Sequence, residues 1–518
     1  MKQNMKTKFR ILLSSITFIA GVALLFAALA LPGRLAAQHN QGANPKHHHY
    51  KLIDLGTFGG PTSYFTNGLD GILNNQGTAA GWADTSTPFP SFCFNPDCFV
   101  SHAFQWQSGV LTDLGALAAG WSSSAFWISG NGLIVGNSQN GQIDPLVGVP
   151  ESRAVLWQKG VITDLGTLEG GYESFAGAVN NRGQVVGLAL NTIPDPFCLL
   201  APGFCTTQTR AFLWQNGAMQ DLGTLGTGND ALASFINERG QIAGISYTNT
   251  TPNPVTGLPT VDPFLWQNGA MLDLGTLGGT LGSATALNNR GEVVGQSNLA
   301  GDLIFHPFLW TKSRGMQDLG TFGGDTGTTE WINDAGEVVG KADLPGSQTH
   351  AAFLWKNGLL TDLGTLPGDA CSLAYQVNSR GQVVGTSEAQ TLCSIPTGEH
   401  AFLWEHGGPM VDLNSLIPPG SSLSLVFAFA INDRGEIAGI GVPPGCSSQD
   451  VGTCGHAYVL IPCGEGDKSC EGENAIGMTK NSPAPATQPP TTATEANPAL
   501  SHRPATTLDR FRSRWSQR

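Results

Sequence analysis

Short apolar runs rich in β-branched and aromatic residues recur along the chain, separated by clusters of Gly, Asn and Asp. Residues 164–214 display the pattern once. Val161-Ile162 leads into Asp164-Leu165-Gly166, Gly170-Gly171 breaks the chain, and an apolar run follows from Ser174 to Val179. After Asn180-Asn181-Arg182-Gly183 comes Gln184-Val185-Val186-Gly187, and after a long irregular stretch Arg210-Ala211-Phe212-Leu213-Trp214. Runs of this length and composition predict strands. Asn tolerates turn geometry and Gly supplies a positive φ, so residues 180–183 and 215–217 predict tight hairpin turns. The unit therefore reads as four antiparallel strands joined short, long, short, long.

The unit is written eight times. Its Asp-Leu step falls at Asp54, Asp113, Asp164, Asp221, Asp273, Asp318, Asp362 and Asp412, a mean period of about 51 residues. The turn begins at Asn74, Asn180, Asn237, Asn288, Asn333, Asn378 and Asn432, with Ser129 in its place in the second unit. Tryptophan recurs at Trp106, Trp157, Trp214, Trp266, Trp310, Trp355 and Trp404. A period near 50 made of short strands predicts an all-β fold, an eight-bladed β-propeller of four-stranded repeats. The first unit lacks a strand before Lys51-Leu52-Ile53-Asp54, and the last ends on an unpartnered one at residues 457–461. Pairing of these N- and C-terminal strands would close the array and hide its sheet edges. An open solenoid would call for shorter, more even repeats and dedicated caps. Which strand lies innermost is open, because either long connection could cross between sheets.

The remaining composition sets the compartment and excludes a class of partner. Lys2, Lys6, Lys8 and Arg10 precede an apolar run, with small-residue steps at Ala28-Leu29-Ala30 and Leu35-Ala36-Ala37. Residues 1–37 thus read as a secretory signal, or, uncleaved, as a membrane anchor. Net charge is −13, and removing the five cations of that segment leaves about −18, which repels nucleic acid. Ten cysteines fall into neighbouring pairs, Cys93/Cys98, Cys198/Cys205, Cys371/Cys393, Cys446/Cys454 and Cys463/Cys470, read as disulfides of an exported protein. Residues 38–50 read as a linker, 51–462 as the repeat domain, 463–480 as a disulfide-bearing extension, and 481–518 as a disordered Pro/Thr/Ala-rich tail with a basic end.

Candidate chemistry is sparse. The connections before the Trp strand vary most in length, so the face they share is the candidate binding surface, together with the mouth of a central channel. His102, His306, His400 and His456 stand in register before that strand, with His350 one residue earlier. Separate units would hold these histidines too far apart for one metal ion, so they read as polar strand starts and no metal ligand is assigned. The repeated Asp of Asp-Leu-Gly reads as a hydrogen-bond acceptor for the backbone, since catalysis needs a unique pair. The repeated Trp reads as core. No nucleophile elbow, phosphate loop or zinc-protease helix occurs, so no catalytic residue, binding residue or cofactor is assigned.

The combination of His400-Ala401-Phe402, His456-Ala457-Tyr458, Asp-Leu-Gly-Thr-Leu-Gly-Gly and Ile431-Asn432-Asp433-Arg434-Gly435-Glu436 resembles the bacterial HAF family of probable extracellular repeat proteins. The likeness spans about residues 51–461; Arg153-Ala154-Val155 and Asp262-Pro263-Phe264 depart from it. It implies an exported repeat protein and supplies no catalytic residue. The expectation is a non-catalytic scaffold binding an extracellular polymer or protein through its long loops. A propeller glycan hydrolase or lyase and a structural envelope component are the alternatives.

Overall fold

The computed structural model describes residues 48–464, apart from 67–70, 90–97, 147, 169, 200–206, 390–392 and 394–398. The segments expected to be a signal and a tail, most of the linker and most of the extension fall outside the described residues. The fold is all-β and built mostly of four-stranded antiparallel sheets. In one unit Ser174–Val179, Val185–Pro194, Thr207–Gln215 and Ala218–Asp221 lie side by side in chain order. The described strands make six such sheets and one of eight strands, in which Val261 and Leu281 of successive units touch in parallel.

The Asp-Leu-Gly strand belongs with the Trp strand before it, so the chain crosses between sheets at Gly-Thr-Leu-Gly-Gly. Burial orders the strands. Ser174–Val179 and its counterpart Ala231–Ile236 are buried along their whole length, whereas Val161–Asp164 is largely exposed. The first strand of one sheet lies against the first strand of the next.

The terminal strands meet. Tyr50–Asp54 pairs antiparallel with His456–Pro462, from Tyr50 opposite Pro462 to Asp54 opposite Tyr458. Tyr50–Asp54 thereby takes the edge place that Ala218–Asp221 holds in the earlier sheet. Cys463 N donates to the His49 carbonyl at 2.8 Å and extends the ladder by one bond.

The glycine of each Val-Val-Gly run has a steric reason. The first strand bulges opposite it: Ala176 faces Gly187, Ala178 faces Val186, and Gly177 is skipped. A Cβ on Gly187 would sit 2.0 Å from the Phe175 carbonyl oxygen, and one on Gly385 2.0 Å from that of Leu373. The space beside the glycine is filled from the other side, where Phe212 pairs with Gly187 and Phe402 with Gly385. Phe104, Phe212, Phe264, Phe308, Phe353 and Phe402 are all fully buried. Trp106, Trp157 and Trp310 are buried as well, but Trp214, Trp266, Trp355 and Trp404 are only half-buried. The recurrent core anchor is thus the Phe, with the Trp packing beside it.

The Asn turn does more than close a hairpin. Asn180 Oδ1 accepts from the Arg182 and Gln184 amides, while its Nδ2 donates to the Asn237 carbonyl of the next unit. The same bond runs from Asn237 to Asn288, Asn288 to Asn333, Asn333 to Asn378 and Asn378 to Asn432, at 3.0–3.1 Å. Asn74 donates to Ser129, and Asn432 of the last unit donates to Asn74 of the first at 3.0 Å. The second unit, with Ser129 at this position, links onward through Asn131 Nδ2 to the Asn181 carbonyl at 2.8 Å. Each link through a buried Asn replaces a solvated amide with a satisfied buried one, worth about 1 kcal/mol, whereas the Asn131 link is exposed.

Candidate functional site

Opposite the Asn turns lie the long connections, and the strand register explains the chemistry that gathers there. Each Phe stands across from the Asp of Asp-Leu-Gly, as Phe104 does from Asp113. All eight Asp residues use Oδ1 to accept the amide two positions on, from Gly56 on Asp54 to Asn414 on Asp412, at 2.7–2.8 Å. The residue two positions before the Phe reaches the same carboxylate. His102 lies 2.9 Å from Asp113, His306 2.8 Å from Asp318, His456 3.1 Å from Asp54, and Arg210 Nε 2.9 Å from Asp221. For Asp113 and Asp318, partial burial pushes the carboxyl up. The hydrogen bonds from histidine and glycine outweigh it and hold both below the usual range. The shared His and Asp of the repeat are thus spent on each other.

Two units carry something more. Asp144 and Asp195 occupy the same place after the Val-Val-Gly strand, each followed by Pro, and each faces the acid that heads the next sheet, Glu173 and Asp230. All four are buried. Burial, then the charges of Asp144 and Glu151, push Glu173 up to about 8 against the pull of Arg153. Burial and then Asp195 push Asp230 to about 8, although the Leu199 and Thr209 amides donate to its carboxylate. Asp195 in turn accepts from the Phe197 amide and from Asn229. In the fourth unit Asp262 takes the histidine position, and burial together with Asp273 pushes its carboxyl up. Buried beside other carboxylates, Glu173, Asp230 and Asp262 hold their protons to higher pH than free carboxyls do.

The seventh and eighth units depart from the rule in a different way. Asp412-Leu413 is followed by Asn414 where other units have Gly, and the chain turns into a short 3-10 helix, Leu413–Leu416, capped by Asp412. Asp412 accepts from both the amide and the side chain of Asn414. His400 turns instead to Asp369, at 3.0 Å. The longer excursion that follows borders an open groove of about 520 Å³. Pro418, Pro419, Pro443 and Pro444 form its apolar walls, and His400 and Asn414 supply polar groups. The loop bearing Pro443 and Pro444 is pinned by the Cys446–Cys454 disulfide, between Cα atoms 6.2 Å apart.

Cys371–Cys393 forms a second disulfide, joining the head of Cys371–Val377 to the long connection of the same unit. Cys98, Cys198 and Cys463 are also disulfide-bonded, and no described cysteine is free. Cys93, Cys205 and Cys470 lie outside the described residues. Disulfides of this number fit an oxidising compartment. Among the described residues no helix is long and apolar enough to cross a membrane.

Asp369, Glu399 and the buried acid pairs escape a reading of the sequence. The signals that would have found them are small: an Asp-Pro step at one spacing in two successive units, and Asn414 in place of Gly.

No family model and no curated protein matches the chain. Solved structures do. The acylaminoacyl peptidase of Pyrococcus horikoshii aligns at 10% identity and a TM-score of 0.38, over 78% of this chain and 59% of that one. This chain therefore spans little more than half the length of that peptidase. The β-propeller domain of the Trilobed protease from Pyrococcus furiosus, described as having an open velcro topology, aligns at 10% and 0.38 over 70% and 95%. A Trypanosoma rangeli sialidase aligns at 8% and 0.28 over 82% and 94%. These are resemblances of architecture, too distant to bear on activity.

Proposed function

We propose that the chain is an exported, non-catalytic binding scaffold, an eight-bladed propeller closed by its own termini, that recognises an extracellular polymer or protein through its long-loop face. The Asn432-to-Asn74 bond and the pairing of Tyr50–Asp54 with His456–Pro462 support the closed ring. Trp127 of the second unit lies 6.3 Å from Trp331 of the sixth and 6.4 Å from Phe235 of the fourth. Side chains meeting from units so far apart in the chain fill the axis, which argues against a channel mouth as the site. The disulfides support export.

The observation that carries the binding reading is the open groove beside the 3-10 helix. Most of the shared histidines are engaged by carboxylates within their units, and the carboxylate pairs Asp144/Glu173 and Asp195/Asp230 are buried. A hydrolase would need such a pair open to its substrate. The proline-walled groove is accessible and has polar groups among its lining, the usual make-up of a ligand site.

The test is a binding screen of the secreted protein against cell-wall polymers and soluble glycans, repeated with Ser424→Trp. Ser424 is exposed and lines the groove, so the indole would obstruct it. A ligand whose affinity falls at least tenfold supports the reading. A ligand bound equally by both proteins moves the site elsewhere, and release of shortened glycan refutes the non-catalytic reading.

A further inference from the structure

Asp369, Glu399 and His400 stand apart from the pairing that occupies other units. Each offers a ligand atom, and the three atoms lie within 4.8 Å of one another. All three come from one unit, two residues before the strand Cys371–Val377 and at the start of His400–Trp404. Three features make the cluster unlike the other histidine sites. His400 pairs with Asp369, whereas His102, His306 and His456 pair with the Asp of Asp-Leu-Gly. The Asp369 side chain is 3% exposed while that of His400 is 42% exposed, so the carboxylate forms a floor and the imidazole a rim. Cys371, two positions from Asp369, is tied to Cys393, six positions before Glu399. Glu399 uses Oε2 to accept the Ala389 amide at 2.7 Å, which fixes the carboxylate in place.

We propose that these three residues bind one divalent transition-metal ion of the zinc or manganese class. Ligand bonds of about 2.0–2.2 Å to a common ion place donors roughly 3–3.5 Å apart, so modest side-chain adjustment closes the set. One imidazole nitrogen and two carboxylate oxygens match the mixed preference of zinc and manganese, whereas calcium favours six or more oxygens. Two carboxylates brought close together, one of them on a buried floor, also favour a dication electrostatically. A metal-bound imidazole nitrogen carries no proton, so at His400 Nδ1 the ion would take the place of the contact with Asp369. Three protein ligands leave a coordination position toward solvent. This inference is independent of the scaffold reading, since it concerns the ion alone and holds whether or not the groove takes a polymer.

Calorimetric titration of the secreted full-length protein, stripped with chelator, tests it with zinc chloride, manganese chloride and, as the contrast, calcium chloride as the only ligands. We expect one ion per chain for at least one of zinc and manganese. Asp369→Asn and Glu399→Gln should each weaken it at least tenfold. The metal should raise the melting temperature of the wild type and leave that of Asp369→Asn unmoved. A variant with His47, His48 and His49 changed to Ala should bind as the wild type does, which separates the site from the histidine run in the linker. Melting without metal checks that each variant is folded, and the conservative Glu399→Gln serves if Asp369→Asn is not. Binding that survives both substitutions within threefold, disappears with the linker histidines, or is tighter for calcium than for zinc and manganese overturns the proposal.

Discussion

Glu173→Gln should make the protein more stable, by an amount that depends on pH. Glu173 is buried, and its carboxyl titrates at about 8 rather than 4.5. Burial is the largest cause, the Asp144 and Glu151 charges add to it, and Arg153 opposes them. The folded value lies above the unfolded one. Below about pH 4.5 both states hold the proton and the residue costs nothing. As pH rises toward 8 the unfolded chain releases its proton while the folded chain keeps it, and stability falls by about 1.4 kcal/mol per pH unit. Between pH 5 and pH 7 the loss from this residue alone is about 3 kcal/mol. Glutamine has nearly the same shape and does not titrate, so the loss disappears. The advantage of the variant should therefore grow by about 3 kcal/mol from pH 5 to pH 7. Asp230 and Asp262 titrate in both proteins and cancel in the difference. Urea unfolding followed by tryptophan fluorescence at pH 5, 6 and 7 measures it. An advantage that stays flat across the three pH values would refute the buried-acid account of this interface.

Three further outcomes follow from the fold. Gly385→Ala drives a Cβ into the Leu373 carbonyl and should destabilise by about 3 kcal/mol, read as a lowered melting temperature; a melt within one degree of wild type refutes the close-approach argument. Asn432→Ala should cost about as much as Asn288→Ala, about 1–3 kcal/mol each, because both remove the same inter-unit bond. If Asn288→Ala destabilises and Asn432→Ala does not, the first and last units are not held together as described. Thiol titration of the secreted, unfolded protein should find fewer than one free thiol per chain, and five or more would overturn the disulfide assignment.

Much of the architecture can be read from the order of residues because it is carried by local rules. Turn chemistry at residues 180–183, alternation of short apolar runs, and the offset between the first and last units predict strands, their antiparallel order and the pairing of the termini. Those features depend on neighbours in the chain and on one counting argument. What the sequence left open depends on three-dimensional neighbours. Whether the Asp-Leu-Gly strand or the strand after it is the buried one follows from which face meets the next sheet, and both are short and apolar enough for either role. The onward bond from Asn180 to Asn237 joins residues 57 positions apart, and no local pattern distinguishes it from an ordinary turn. Site chemistry was the least legible. His102, His306, His400 and His456 are alike in sequence, yet three pair with the Asp of Asp-Leu-Gly in their own sheet and the fourth pairs with Asp369. Repetition makes a local pattern readable, whereas function rests on the places where tertiary contacts separate one copy from the rest.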